Sequence, residues 1–202
     1  MILIPGGLAS TCDEFESVRS NISAVFHLER RLPGLVFRKT LSHTLFCEYE
    51  AALSPELWAM FQRLAKLHGD ARVDLLVVEP DHQSYYLDRH GVYPAMSLSV
   101  NSSEDDYWDV IAGENGGDIV STADVIAITG ASGSWGCWGE RSDEILVVQG
   151  LPEGVSEEAW SDEFGPFLGV AEALENYVSF AFRHDIPGWY ASAFSENYDR
   201  SS

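Results

Sequence analysis

The sequence predicts an α+β fold: a single compact domain over 1–202, with a mixed or antiparallel sheet packed with several amphipathic helices. Three observations carry this. Hydrophobic residues make up 46% of the chain and aromatics 12%, whereas chains that stay disordered combine few aromatics with high charge. Apolar residues recur at helical spacing in some segments and as short continuous runs in others. No internal repeat, low-complexity linker or domain boundary interrupts the 202 residues.

Ser10 and Thr11 are candidate caps for a helix from about Cys12 to Glu29. Phe15, Val18, Ile22, Val25 and Phe26 share one face, and Asp13, Glu14 and Glu16 sit where the helix dipole favours acids. Leu32-Pro33-Gly34 ends that helix, and the apolar patches within Leu35–Tyr49 predict a strand or a bent pair. Ser54-Pro55 opens a second helix, proline being favoured at the first helical position. Its periodic face is Leu57, Met60, Phe61, Leu64 and Leu67, and Gly69 stops it. Val73–Val78 reads as a buried strand, with further strands at Tyr85–Leu87 and Val92–Val100.

Ser102 or Ser103 caps a short helix through Glu104 to Ile111, and Gly113–Asp118 reads as a loop. Val125–Thr129 is a short apolar run whose periodicity leaves its type open, and Ile145–Val148 reads as a core strand. Ser156 caps an acidic helical turn, a longer helix spans about Pro166 to His184, and Trp189–Tyr198 forms a short aromatic helix before fraying residues.

The charge is lopsided. Residues 1–90 carry 12 Asp/Glu against 9 Lys/Arg, whereas residues 91–202 carry 20 against only Arg141, Arg183 and Arg200. A half-molecule almost without bases produces a directed negative field that attracts a cationic partner and repels nucleic acid and anionic lipid. The expectation is a basic protein partner, no nucleic acid and no membrane. No apolar run approaches the roughly 20 residues that span a bilayer. The N-terminus lacks a basic n-region, and three widely spaced cysteines (Cys12, Cys47, Cys137) argue against a disulfide framework. Together these read as a cytoplasmic protein.

The segment Gly130–Gly139 has glycines three apart and no lysine, so it matches neither phosphate-binding glycine motif. It reads as a tight irregular turn with Trp135 and Trp138 packed beneath. Gly133-Ser134-Trp135-Gly136-Cys137-Trp138-Gly139-Glu140-Arg141, followed by Glu144–Val148, resembles a stretch of small acidic bacterial proteins, some of them similar to immunity proteins of polymorphic toxin systems. The resemblance covers about a tenth of the chain and carries no site. It implies a stoichiometric inhibitor that occludes a cationic toxin or effector domain, without turnover.

Catalytic signatures are weak. On a strand His43 and Cys47 would lie about 13 Å apart, with no orienting third group. The six histidines form no metal-ligand motif, and the calcium-loop spacing is absent around Glu104–Asp109. No catalytic residue, metal or cofactor is expected. The acids that stand out are those interleaved with aromatics and free of nearby bases. One cluster is Glu104, Asp105, Asp106, Tyr107, Trp108 and Asp109. The other is Glu157, Glu158, Trp160, Asp162 and Glu163. Aromatic anchors ringed by charge suit a protein interface. A nucleic-acid mimic directed at DNA-binding proteins and a carboxylate-based hydrolase are the alternatives.

Overall fold

Capping chemistry fixes where the first helix starts. The structure, a computed structural model, describes residues 7–113 and 118–199. In it the Thr11 hydroxyl accepts from the Glu14 amide, and the Glu14 carboxylate accepts from the amides of Ser10 and Thr11. This reciprocal box opens α1 (Cys12–Val25) and holds the Glu14 carboxyl below its ordinary value. The helix is a turn shorter than its periodicity predicts. Phe26 turns extended because it is needed elsewhere: it forms a β-bridge with Phe37, and the two rings lie 4.9 Å apart in the core.

Six strands form one fully antiparallel sheet in the order β1-β6-β5-β4-β2-β3. They are β1 (Thr44–Glu48), β2 (Arg72–Glu79), β3 (Ala95–Ser99), β4 (Val125–Gly130), β5 (Gly136–Glu140) and β6 (Ile145–Gln149). The α+β class is thus realised with an antiparallel sheet. Helices cover both of its faces, which is why β2, β4 and β6 are apolar runs with little alternation. One face packs against α2 (Pro55–Leu67), α3 (Glu104–Ala112) and α4 (Glu157–Phe164). The other packs against α1 and two C-terminal helices: α5, over 170–181, and α6 (Gly188–Tyr198). The middle of α5, Leu174–Val178, winds as a π-helix.

Several elements depart from their sequence pattern. Tyr85–Leu87, expected as a strand, lies in a π-helical turn over His82–Leu87, where Tyr86 is buried and its hydroxyl bonds to Thr122 at 2.8 Å. Only Thr44–Glu48 of the 35–49 stretch is a strand. The helix expected from Pro166 begins at Val170, since Leu168 first bridges to Phe46. The glycine-tryptophan segment is a turn only up to Trp135; from Gly136 it is a strand. Of the loop expected over 113–118, residues 114–117 lie outside the described residues, as do the N-terminal residues 1–6 and the final residues 200–202.

Both edge strands are met by other parts of the chain. At β3 the Ala9 amide donates to the Ala95 carbonyl and the Tyr93 amide to the Ala9 carbonyl, at 2.8 and 2.9 Å. At β1, Phe46 and Leu168 exchange two bonds of 3.1 and 2.8 Å.

Candidate functional site

The two acidic helices lie on the same face of the sheet, and each packs against α2. Helix α3 starts at Ser103, whose hydroxyl accepts from the Asp106 amide at 3.1 Å while Asp106 accepts from the Ser103 amide at 2.7 Å. Those bonds pull the Asp106 carboxyl below its ordinary value. The helix is tied to α2 by the Trp58 indole, which donates to the Ser102 carbonyl at 2.9 Å, and by Gln62, which donates to the same carbonyl at 2.7 Å. Trp58 and Tyr107 stack with centroids 5.0 Å apart, and the Tyr107 hydroxyl donates to the Ala52 carbonyl. Ser156 opens α4 by accepting from the Ala159 amide at 3.0 Å.

This packing sorts the expected contact residues. Glu104, Asp105, Asp106, Asp109, Glu157, Glu158, Asp162 and Glu163 are all exposed. Tyr107 and Trp160 are core residues, 0% and 2% exposed, and are therefore packing groups on this surface. Trp108, 40% exposed, is the large aromatic that α3 presents to solvent. Asp106 is occupied by its cap, and Glu157 pairs with His43 at 2.8 Å. Among the described residues, Glu104, Asp105, Asp109, Glu158, Asp162 and Glu163 make no ion pair within the chain. The exposed side of α2 contributes Glu56, Arg63 and Lys66.

The glycine-tryptophan segment has a structural role. Asp70 accepts from the Ser132 amide at 2.6 Å, the Ser132 hydroxyl at 2.9 Å and the Trp135 indole at 2.9 Å, locking the turn. Trp135 enters the core beneath α2, whereas Trp138 enters the opposite core beneath α1. Gly150, with φ +97°, lies against this turn. A Cβ there would meet the Ser134 carbonyl oxygen at 2.4 Å. Cys47 is 5% exposed and burial drives its thiol pKa up, away from nucleophilic use. His43 points instead to Glu157.

Four buried carboxyls had no distinguishing sequence signal: Asp70, Asp74, Glu140 and Asp143. Asp74 is fully buried, bonded to Ser97 at 2.5 Å and Asn21 at 2.8 Å, with Arg72 at 3.2 Å; desolvation still raises its pKa. Glu140, 3% exposed, closes β5. Its Oε1 accepts from the Leu32 amide and the Trp138 indole, both at 2.8 Å. Desolvation, reinforced by neighbouring Asp143, pushes its pKa up to about 7 against the opposing pull of those two donors and Arg31.

Among the described residues, no group of three or more His, Cys, Asp or Glu is placed to hold a metal ion, and no helix is long and apolar enough to cross a membrane. The chain matches no family model, and comparisons with curated proteins and with solved structures give no significant match.

Proposed function

We propose that this is a stoichiometric binding protein that docks a basic protein domain on the face built by α3 and α4. One observation carries the reading: six exposed carboxylates on two helices flanking α2 form no ion pair among the described residues. Surface ion pairs add little stability, so leaving these carboxylates unpaired costs the fold little and keeps them available to a partner. Left unpaired around the exposed indole of Trp108, they supply long-range attraction, and the indole supplies a contact anchor. The resemblance of the Gly133–Arg141 segment to immunity proteins favours one form of this activity: occlusion of a toxin or effector domain in the cytoplasm.

The test is affinity capture from the native lysate at low and moderate salt, followed by association kinetics with the purified partner. A single basic domain that survives moderate salt, and whose association slows when Asp105, Asp109, Glu158 and Asp162 are reversed to lysine, supports the reading. Many basic proteins lost together as salt rises would indicate phosphate mimicry or unspecific charge instead. An unchanged association rate in the reversed variant would remove this face from the interface.

A further inference from the structure

The end of the sheet where β2 stops, β4 starts and β5 turns into β6 forms an open cavity of about 500 Å³. Its charged lining comprises Arg31, Glu79, Asp124, Glu140, Arg141 and Asp143. By the strand register it lies at the opposite end of the sheet from the His43–Glu157 pair, since Glu140 pairs with Ile145 whereas Thr44 pairs with Gln149.

The two guanidiniums are already engaged. The nitrogens of Arg31 donate to Glu79 and to the carbonyls of Leu28 and Arg30. Those of Arg141 donate to the Ala123 carbonyl at 2.8 Å, Glu50 at 2.6 Å and the Val120 carbonyl at 2.6 Å. The acceptors are not used up. Glu140, a residue only 3% exposed that lines the cavity, takes both of its bonds on Oε1, and its Oε2 has no hydrogen-bond partner among the described residues. Asp124 makes no side-chain hydrogen bond among the described residues. Asp143 is held by the Tyr190 hydroxyl through Oδ2 and only loosely, at 3.4 Å, by Ser142 through Oδ1. Four carboxyls against two guanidiniums, both held in other bonds, leave the lining with an excess of acceptor oxygens and of negative charge, which favours an N–H-bearing cation over an anion.

We propose that this cavity binds an organic ammonium group, seated on Glu140 Oε2 with Asp124 and Asp143 completing its acceptors. This cavity is separate from the docking face. The Glu140 carboxyl holds its proton up to about pH 7 because burial, reinforced by Asp143, outweighs the Trp138 and Leu32 donors and Arg31. The other charged or titratable groups around it are Glu79 from β2, Asp124 before β4, Arg141 in the turn, and Tyr190 and Tyr198 from α6. Both tyrosines stay neutral, their pKa values raised mainly by burial. An arriving ammonium replaces the carboxyl proton as the compensating positive charge, so that proton leaves to solvent. No bond forms other than hydrogen bonds.

The experiment is titration calorimetry of the intact chain with methylammonium, ethylenediammonium and spermidine, in two buffers of different protonation enthalpy. Nα-acetyl-lysine methylamide serves as the form in which a peptide would present the same group. Tetramethylammonium, which lacks N–H donors, and sodium chloride at matched ionic strength are controls. The expected result is saturable binding of at least one N–H cation and release of about half a proton per cation at pH 7, shrinking as pH rises. Glu140→Gln should weaken binding at least tenfold and abolish the proton release. Asp124→Asn, at an exposed position, should weaken it several-fold with the fold intact. Preference for the lysine derivative would make the ligand a partner's side chain, and preference for the free amines would make it a metabolite. Equal heats for tetramethylammonium and the N–H cations, or binding unchanged in both variants, would overturn the proposal.

Discussion

Asp70 and Trp135 are 65 positions apart in the chain, yet the Trp135 indole donates to Asp70 Oδ2 at 2.9 Å in a site with little solvent. The same carboxylate holds both the amide and the hydroxyl of Ser132, so one side chain fastens the end of α2 to the turn between β4 and β5. Asp70→Ala strands an indole N–H and a backbone N–H. It should cost about 2–4 kcal/mol, read by denaturant midpoint, with Trp135 fluorescence reporting a loosened turn.

Stability should depend on pH through Glu140. Between pH 4.5 and about 7 the folded protein keeps a proton that the unfolded chain has lost, so stability falls as pH rises across that window. The contribution is full below 4.5 and gone above about 7. The shift corresponds to about 3 kcal/mol. Glu140→Gln keeps an acceptor for Leu32 and Trp138 and removes the titration. Thermal melts of the variant should show a flatter pH profile and a gain over the parent chain at pH 8. An unaltered slope would place the titrating group elsewhere.

Trp108 and Trp160 should separate binding from folding. Trp108→Ala is expected to change stability by less than about 0.5 kcal/mol and to speed partner dissociation. Trp160→Ala opens the core beneath α4 and should cost about 3 kcal/mol or more. Comparing urea midpoints with dissociation rates for both variants checks the assignment.

Reversing Asp105, Asp109, Glu158 and Asp162 to lysine should lower the association rate with a basic partner by about tenfold at low salt and flatten its ionic-strength dependence. The fold should persist, since these side chains are exposed, with a loss of about 1 kcal/mol where lysine replaces an acid in the first turns of α3 and α4.

Two glycines with positive φ predict opposite tolerances. Gly150→Ala drives a methyl into the backbone of Ser134 and Trp135 and should cost at least about 2 kcal/mol. Gly154→Ala meets open space and carries only the conformational cost of about 1 kcal/mol. Thermal melts of the pair measure the difference.

Much of the architecture was legible because local signals agreed with the tertiary structure. The caps at Thr11, Ser103 and Ser156, and Pro55 at the start of α2, fall where their chemistry predicts. Strand β5 was not legible, because glycine packs poorly in strands and gives no strand pattern. Gly136 and Gly139 are nevertheless required there, since a Cβ would press on the Phe26 ring at 2.6 Å or on Ile126 and Tyr49 at 3.0 Å. The different fates of Trp108 and Trp160 were partly encoded. Tyr107, Val110 and Ile111 are spaced as one helical face, and Trp108 falls off it. Nothing local marks Glu140 or Asp143 among 32 acids. Their burial depends on Leu32 and Tyr190, which only the folded chain brings near.

The edge contacts at Ala9–Ala95 and Phe46–Leu168 limit how this molecule can be recognised. Where its own chain already bonds to an outer strand, at Ala95 and at Phe46, a visiting peptide finds an interrupted ladder. On the proposed docking face recognition would then proceed through side chains, with charge placement and Trp108 rather than the backbone setting specificity. The same two interruptions make each edge a poor template for the edge of a second copy.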